Sequence, residues 1–176
     1  MISGNAKGVD RSALEGVMHE HDYTTVILPH GIHKLSKVQM SNLLPGIEDK
    51  KVLLLSQFPP NASWLVSRAM ERNHVVTGLA QMVVVAQADG KGGTWEGANN
   101  ALCQGRRLYV CQNQNGDLLP GNALLIEKGG HALSWPAESL DDLLLPLVKE
   151  IDAIQDKQQR ASLPPNQLSL LALPEM

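Results

Sequence analysis

The chain has 176 residues, enough for one domain with a substantial core, and a usual size of roughly 150 residues per domain argues against two. Aromatic residues make up only 3% of the chain, which excludes a nucleic-acid surface built from rows of stacked rings. The net charge of −3 gives no overall attraction for nucleic acid, so any phosphate binding must come from local cations or backbone amides.

Targeting signals are not evident in the sequence. The N-terminus lacks a basic segment followed by an apolar one, and no apolar run approaches the ~18 residues that cross a bilayer. We therefore expect a cytoplasmic protein with no membrane partner.

Helical and strand-like patterns alternate along the chain. In chain order, helical patterns lie at 10–19, 62–79 and 94–104, and apolar runs typical of strands covered on both faces lie at 24–28, 51–55, 81–86 and 107–111. This order predicts an α/β fold of the Rossmann-like, doubly wound type, with a mostly parallel sheet and helices on both faces. A last amphipathic helix is predicted from about 139 to 159, so the domain spans 1–160 and residues 161–176 form a flexible tail.

Three segments are placed to bind a ligand at the carboxyl ends of parallel strands. They are SGNAKGVD at 3–10, PHGIHK at 29–34 and DGKGGT at 89–94, in which Thr94 is the candidate N-cap of the following helix. Glycine-rich turns let backbone N–H groups approach phosphate oxygens closely, although each turn alone is equally typical of a plain tight connection. Their convergence on one edge of the sheet is the stronger indication.

The order of five segments resembles the DNA-processing protein A family (DprA, also called Smf). Residues 3–10 resemble its S-G-x-A-x-G-I-D, 55–60 (LSQFPP) its L-S-E-x-P-P, and 72–79 (RNHVVTGL) its R-N-R-I-I-A-G-L. Residues 105–110 (GRRLYV) are similar to its G-R-x-V-F-A, and 120–130 to its P-G through N-x-L-I-x-x-G-A. The family's preceding strand with a G-[ST]-R turn, and its C-terminal winged helix, have no counterpart in the sequence.

The resemblance implies binding of single-stranded DNA and, through homodimers, loading of a recombinase in DNA recombination and natural transformation. It gives these candidate phosphate contacts: Gly4, Lys7, Gly8, Lys34, Lys37, Arg72, Lys91, Gly92, Gly93 and Thr94. Lys34 and Lys37 are equally consistent with a solvated helix face. Arg72 lies within an apolar pattern, so its side chain points either to solvent or to a pocket.

A nucleotide-binding enzyme is the alternative. Arg72 and the segment GGTWE at 92–96 look similar to the Arg and P-G-G-x-G-T-x-x-E of nucleoside-monophosphate phosphoribohydrolases of the lonely-guy type. Here the carboxylate of Glu96 falls one residue early, which turns the side chain by about 100° on a helix. We therefore place this enzyme second to DNA binding.

No metal or cofactor is predicted. The two cysteines and the six histidines show no metal-ligand spacing, and His30 and His33 leave a strand rather than lie on a helix.

The predicted tail contains a peptide that resembles the Q-L-[SD]-L-[FL] motif by which bacterial replication and repair proteins dock on the sliding clamp. Its residues are Gln167, Leu168, Leu170 and Leu171. The glutamine amide would hydrogen-bond at the edge of the clamp's cleft, and the leucines would fill apolar pockets. Packing of these leucines on their own domain is the other interpretation.

Overall fold

Strands and helices alternate along the chain in a computed structural model that describes residues 1–112, 120–134, 136–137 and 139–162. The strands are β1 (Ile2–Ser3), β2 (Thr24–Ile27), β3 (Val52–Leu55), β4 (Met82–Val85), β5 (Arg107–Gln112) and β6 (His131–Ser134). The helices are α1 (Val9–His19), α2 (Lys37–Glu48), α3 (Val66–Leu79), α4 (Gly92–Cys103), α5 (Pro120–Glu127) and α6 (Leu140–Ser162). The predicted α/β class is confirmed.

All paired strands run parallel, as their continuous apolar character predicts. They form two sheets of three strands: β1-β2-β3, which we call the first sheet, and β4-β5-β6, the second sheet. In the first sheet Val26 lies opposite Leu54, and in the second Val84 lies opposite Tyr109. The expected strands are therefore divided between two hydrogen-bonded sheets rather than joined in one.

Each sheet has its own buried cluster. On the first sheet, Leu14 of α1 and Leu43 of α2 pack with Val26, Leu28 and Val52. On the second, side chains from α4 and α5 pack on the strands; the cluster consists of Val85, Ala88, Ala98, Leu108, Val110 and Leu125.

Helix α6 lies on the other face of the second sheet. Successive side chains of a strand point to opposite faces, so Tyr109 faces away from Leu108 and Val110. The hydroxyl of Tyr109 donates to Oε2 of Glu150 in α6 at 2.9 Å, and Arg107 Nε lies 2.5 Å from Oε1 of the same carboxylate. Helices thus lie on both faces of the second sheet, as the doubly wound class requires.

The carboxyl ends of β4 and β5 are closed by Asn122 in the first turn of α5. This side chain is 2% exposed; its Nδ2 donates to Ala86 O at 3.0 Å and to Cys111 O at 2.7 Å, and its Oδ1 accepts from Ala88 N at 2.8 Å. A Cβ on the preceding residue, Gly121, would lie 2.2 Å from Ala88 O, so only glycine lets α5 approach this closely.

Several elements differ from the sequence-based expectation. The strands β1 and β6 and the helices α2 and α5 were not predicted: β1 has two residues, and α2 begins with a polar capping box from Ser36 to Gln39 and contains Pro45. Helix α3 begins at Val66 instead of 62, because the chain is still extended at Leu65.

Helix α6 continues to Ser162, past the predicted domain end at 160. The proposed clamp-binding residues, Gln167, Leu168, Leu170 and Leu171, lie outside the described residues. No helix in the described ranges combines the length and apolar character needed to cross a membrane.

Candidate functional site

The turn after β1 is a tight structure built around Asp10. Its Oδ2 accepts hydrogen bonds from Gly4 N at 3.2 Å and from Ala6 N at 3.4 Å, while Ser3 Oγ accepts from Asn5 N at 3.0 Å. Gly8 then begins α1 at φ 92°, a conformation that favours glycine. The motif at 3–10 therefore encodes the shape of this turn.

Exposed lysines surround the carboxyl edge of the first sheet. Lys7 lies in the turn after β1, Lys34 ends the short 3₁₀ helix after β2, and Lys37 begins α2; all three are exposed. Because β1 and β2 are parallel, these segments leave the sheet on the same edge.

The corresponding edge of the second sheet carries the other glycine turn. Lys91, Gly92, Gly93 and Thr94 are all exposed between β4 and α4. The predicted N-cap, Thr94, is wrong: Lys91 occupies that position three residues earlier, because Gly92 at φ 81° turns the chain into the helix there.

Two adjacent residues of α3 tie these edges together. Arg72 Nη1 donates to Gly4 O at 2.7 Å and to Ile27 O at 2.6 Å, both at the carboxyl edge of the first sheet. Asn73 Nδ2 donates to Gly93 O at 3.1 Å at the start of α4, and its Oδ1 accepts from Arg72 Nε at 3.3 Å. The structure thus brings the turns at Gly4 and Gly93 together through a connected set of hydrogen bonds.

The side chain of Arg72 is buried and bonds to the protein's own backbone rather than facing solvent. It is 6% exposed, and a Cβ on Gly4 would lie 2.4 Å from its Nη1. Burial lowers the pKa of Arg72 from its ordinary value, and the negative charge of Asp10 partly opposes this. We therefore correct the interpretation of Arg72 from a phosphate contact to the group that positions the turns.

The same burial weakens the enzyme alternative, which needs Arg72 and Glu96 to face one ligand. Arg72 donates to backbone carbonyls, whereas Glu96 is exposed on α4. The neighbouring Trp95 packs against the second sheet's buried cluster, with Lys128 Nζ 4.8 Å from its ring centroid.

The histidines that the sequence singles out have local partners. His30 is buried with Nδ1 2.9 Å from Gly31 O, and His33 Nδ1 lies 3.2 Å from Asn61 Oδ1. Within the described ranges, no three His, Cys, Asp or Glu side chains are grouped to hold a metal ion.

Sequence reasoning missed the roles of Asp10 and Asn122. Both stand inside the family-like segments, as the last residue of SGNAKGVD and the third of PGN. A short polar side chain next to glycines at a strand end is the signal that could have identified them, because such side chains bond to backbone groups nearby.

The contact between Gly4 and Arg72 predicts a coupled loss of stability. We expect Arg72→Met to lower the free energy of unfolding by about 2–4 kcal/mol, because it leaves two buried carbonyls unpaired. Gly4→Ala should cost about 1–3 kcal/mol through overpacking, and clearly less in the Arg72→Met background. Urea unfolding of the single and double variants measures both effects.

Gly16→Ala is the matched control, since Gly16 is exposed in α1 and a Cβ there would meet nothing within 4 Å. It should raise stability by about 0.5–1 kcal/mol. Strictly additive costs for the Gly4 and Arg72 changes would contradict the proposed packing.

Comparisons with known proteins agree on one family. The profile of DNA recombination-mediator protein A matches residues 1–144. The chain is 26% identical over 172 residues to protein Smf of Escherichia coli strain K12, covering 93% of this chain and 46% of that protein. It is 27% identical over 141 residues to DNA processing protein DprA of Bacillus subtilis strain 168, covering 80% of this chain and 47% of the relative.

Two solved structures share the fold, each with a TM-score of 0.65 and 24% identity. The match to DNA processing protein A from Streptococcus pneumoniae covers 82% of this chain and 50% of the S. pneumoniae chain. For the Helicobacter pylori protein these shares are 85% and 66%. The chain spans about half the length of the curated relatives that it matches. With most of its length matched by the family profile, the chain belongs to the DNA recombination-mediator protein A family.

Proposed function

We propose that this protein binds single-stranded DNA along the carboxyl edges of its two sheets, as part of DNA processing. The observation that carries the proposal is the set of exposed lysines beside the glycine turns that Arg72 and Asn73 hold together: Lys7, Lys34, Lys37 and Lys91. The H. pylori relative binds single-stranded DNA, which supports the same ligand here.

The local distribution of charge at the carboxyl edges supports binding of a polyanion by a chain whose net charge is −3. The acidic group nearest the first turn, Asp10, accepts two backbone N–H bonds at its Oδ2, so that oxygen is already engaged. Exposed cations and the backbone amides of Gly8, Gly92 and Gly93 remain to face phosphates. The amide of Gly4, a candidate contact from the sequence, is already bonded to Asp10 and is removed from that set. Binding of this kind depends on salt and only weakly on sequence.

Neutralising the edge lysines should weaken DNA binding and flatten its salt dependence. For Lys7→Gln, Lys34→Gln, Lys37→Gln and Lys91→Gln, each lost phosphate contact should lower the slope of log K against log[salt] by about 0.7. Fluorescence anisotropy with labelled poly-dT over a salt series measures both quantities.

Lys50→Gln is the matched control. Lys50 is also exposed but lies at the opposite edge of the first sheet, before β3, so both affinity and slope should stay unchanged. If the quadruple variant binds poly-dT as the unmodified protein does at moderate salt, the proposed location is wrong.

A homodimer is the second part of the proposal. Leu53 and Leu55 alternate with core residues on β3 and are 59% and 37% exposed, and Val84 on β4 is 50% exposed. Helix α6 adds Leu144, Leu145 and Val148. Exposed apolar side chains on these elements favour self-association, and a dimer would offer two DNA edges to a recombinase, the partner that the family resemblance implies.

We expect light scattering at micromolar concentration to give twice the chain mass of 19.1 kDa. Leu53→Lys or Leu145→Glu should shift the protein toward the monomer by placing a charge in the contact, whereas Val38→Lys, on an exposed position of α2, should not. A monomer for the unmodified protein would reject the dimer.

Docking of the tail on the sliding clamp is the third part, supported by the QLSLL peptide at 167–171. A labelled 162–176 peptide should bind purified bacterial clamp with micromolar affinity, and Gln167→Ala with Leu170→Ala should abolish this, whereas Asn166→Ala should not. Absence of binding at ~100 μM clamp, weaker than about −5.4 kcal/mol, would exclude the interaction.

A further inference from the structure

A cleft of about 450 Å³ lies between α1 and α2. Its volume is within the range of about 300–1,000 Å³ that small-molecule pockets span. Leu14 and Leu43, both almost fully buried, line it together with Met18. The cleft therefore has an apolar surface formed by the core of the first sheet.

Most of its polar lining is available for a ligand, although His19 pairs with Glu20 and Glu15 adds one carboxylate to the lining. In the described part of the chain, the guanidinium of Arg11 and the amide of Asn42 have no hydrogen-bond or ionic partner, although both line the cleft. Gln39 uses its Oε1 to accept from Ser36 N at 3.2 Å, which leaves its NH₂ group free to donate. Amide donors and acceptors above an apolar surface match a flat heterocycle with polar edges.

Asn5 marks the end of the cleft nearest the DNA edge. It lines the cleft and has φ 53°, a left-handed conformation that asparagine tolerates better than most residues. The hydrogen bond from its N–H to Ser3 Oγ holds that conformation. In the described part of the chain the side-chain amide of Asn5 has no hydrogen-bond partner, so it can meet a ligand at that end of the cleft.

The cleft also opens beside the exposed lysines. Arg11 lies in the first turn of α1 and Gln39 in the first turn of α2, and both turns stand at the carboxyl edge near Lys7 and Lys37. From Arg11 to His19 the cleft follows α1 for about 12 Å, the rise of eight helical residues. A strand whose phosphates lie on these cations would therefore pass the open end of the cleft.

We propose that the cleft receives one base of the bound single strand, with Arg11 facing the adjoining phosphate. The inference rests on the proposed DNA binding. The base stacks over Leu14, Met18 and Leu43, and its edge meets the amides of Asn5, Gln39 and Asn42. Proteins that bind single strands read unstacked bases through their edges in this manner.

Filling the cleft tests the proposal. Asn42→Trp places a large ring in the cleft from an exposed helical position, and Ser41→Trp, one residue away on the same helix but outside the cleft, is the control. We expect Asn42→Trp to weaken poly-dT binding about tenfold or more, the equivalent of losing one good set of base-edge hydrogen bonds, while the salt slope stays unchanged. Ser41→Trp should bind as the unmodified protein does, and thermal unfolding should show that both variants fold.

An oligonucleotide of abasic sugars separates base from phosphate contacts. The unmodified protein should bind it at least about tenfold more weakly than poly-dT, and Asn42→Trp should bind both alike.

Photocrosslinking with 4-thiothymidine oligonucleotides should attach the base to α1 or α2. Crosslinks only elsewhere, or equal binding of abasic and normal strands by the unmodified protein, would overturn the base cleft and leave DNA binding intact.

Binding of free dTMP and of poly-dT also tests which ligand occupies the cleft. Binding of free dTMP that Asn42→Trp abolishes, with no change in poly-dT binding, would make this a mononucleotide pocket and refute the strand's base as its occupant. No binding of poly-dT by the unmodified protein at low salt would overturn both the cleft and the proposed function.

Discussion

A buried guanidinium holds the carboxyl edge of this protein together. The two sheets share no ladder in the described residues, so their relative position depends on α3, which contacts β1 and β2 and packs along α4. Arg72 donates to the strand ends of the first sheet, and Asn73 reaches the start of α4 beside the second. Because a buried charge is costly unless it is hydrogen-bonded, this arrangement fixes the turn at Gly4 within narrow limits.

In the proposed function, that constraint would help an edge with few cations to bind a polyanion. Flexible lysines lose side-chain entropy when they bind phosphate, whereas backbone amides in a fixed turn are already ordered. Asp10 fixes the first turn by accepting from Gly4 N and Ala6 N, and Asn122 fixes the strand ends of the second sheet. The exposed lysines then supply charge to a surface whose shape is set by buried polar groups.

The sequence predicts the parts of this fold that follow from local patterns. Continuous apolar runs locate β2, β3, β4 and β5, since strands covered on both faces need such residues throughout. The sequence pattern does not reveal strand β1, because two residues cannot show a period. It does not reveal α2 either, because Pro45 and a polar first turn interrupt the apolar pattern of that helix. At the site, the exposure of Lys7 and Lys91 can be predicted because both lie in polar, glycine-rich loops, which run over the protein surface. The burial of Arg72 does not, because it depends on carbonyls supplied by β1 and β2, 68 and 45 residues away.

The family-like motifs describe a scaffold more than an activity. Gly4 leaves space for the guanidinium of Arg72. The side chains of Asp10 and Asn73 form hydrogen bonds with backbone groups. Gly121 and Asn122 let α5 pack against the strand ends of the second sheet. Each of these residues has a structural reason to stand where it does, so a match to the motifs establishes the fold without establishing the ligand. The groups to which we assign contacts with DNA stand largely outside them: Lys34, Lys37, Arg11 and the cleft amides of Gln39 and Asn42. Ligand choice in this chain therefore depends on side chains that family membership alone does not identify.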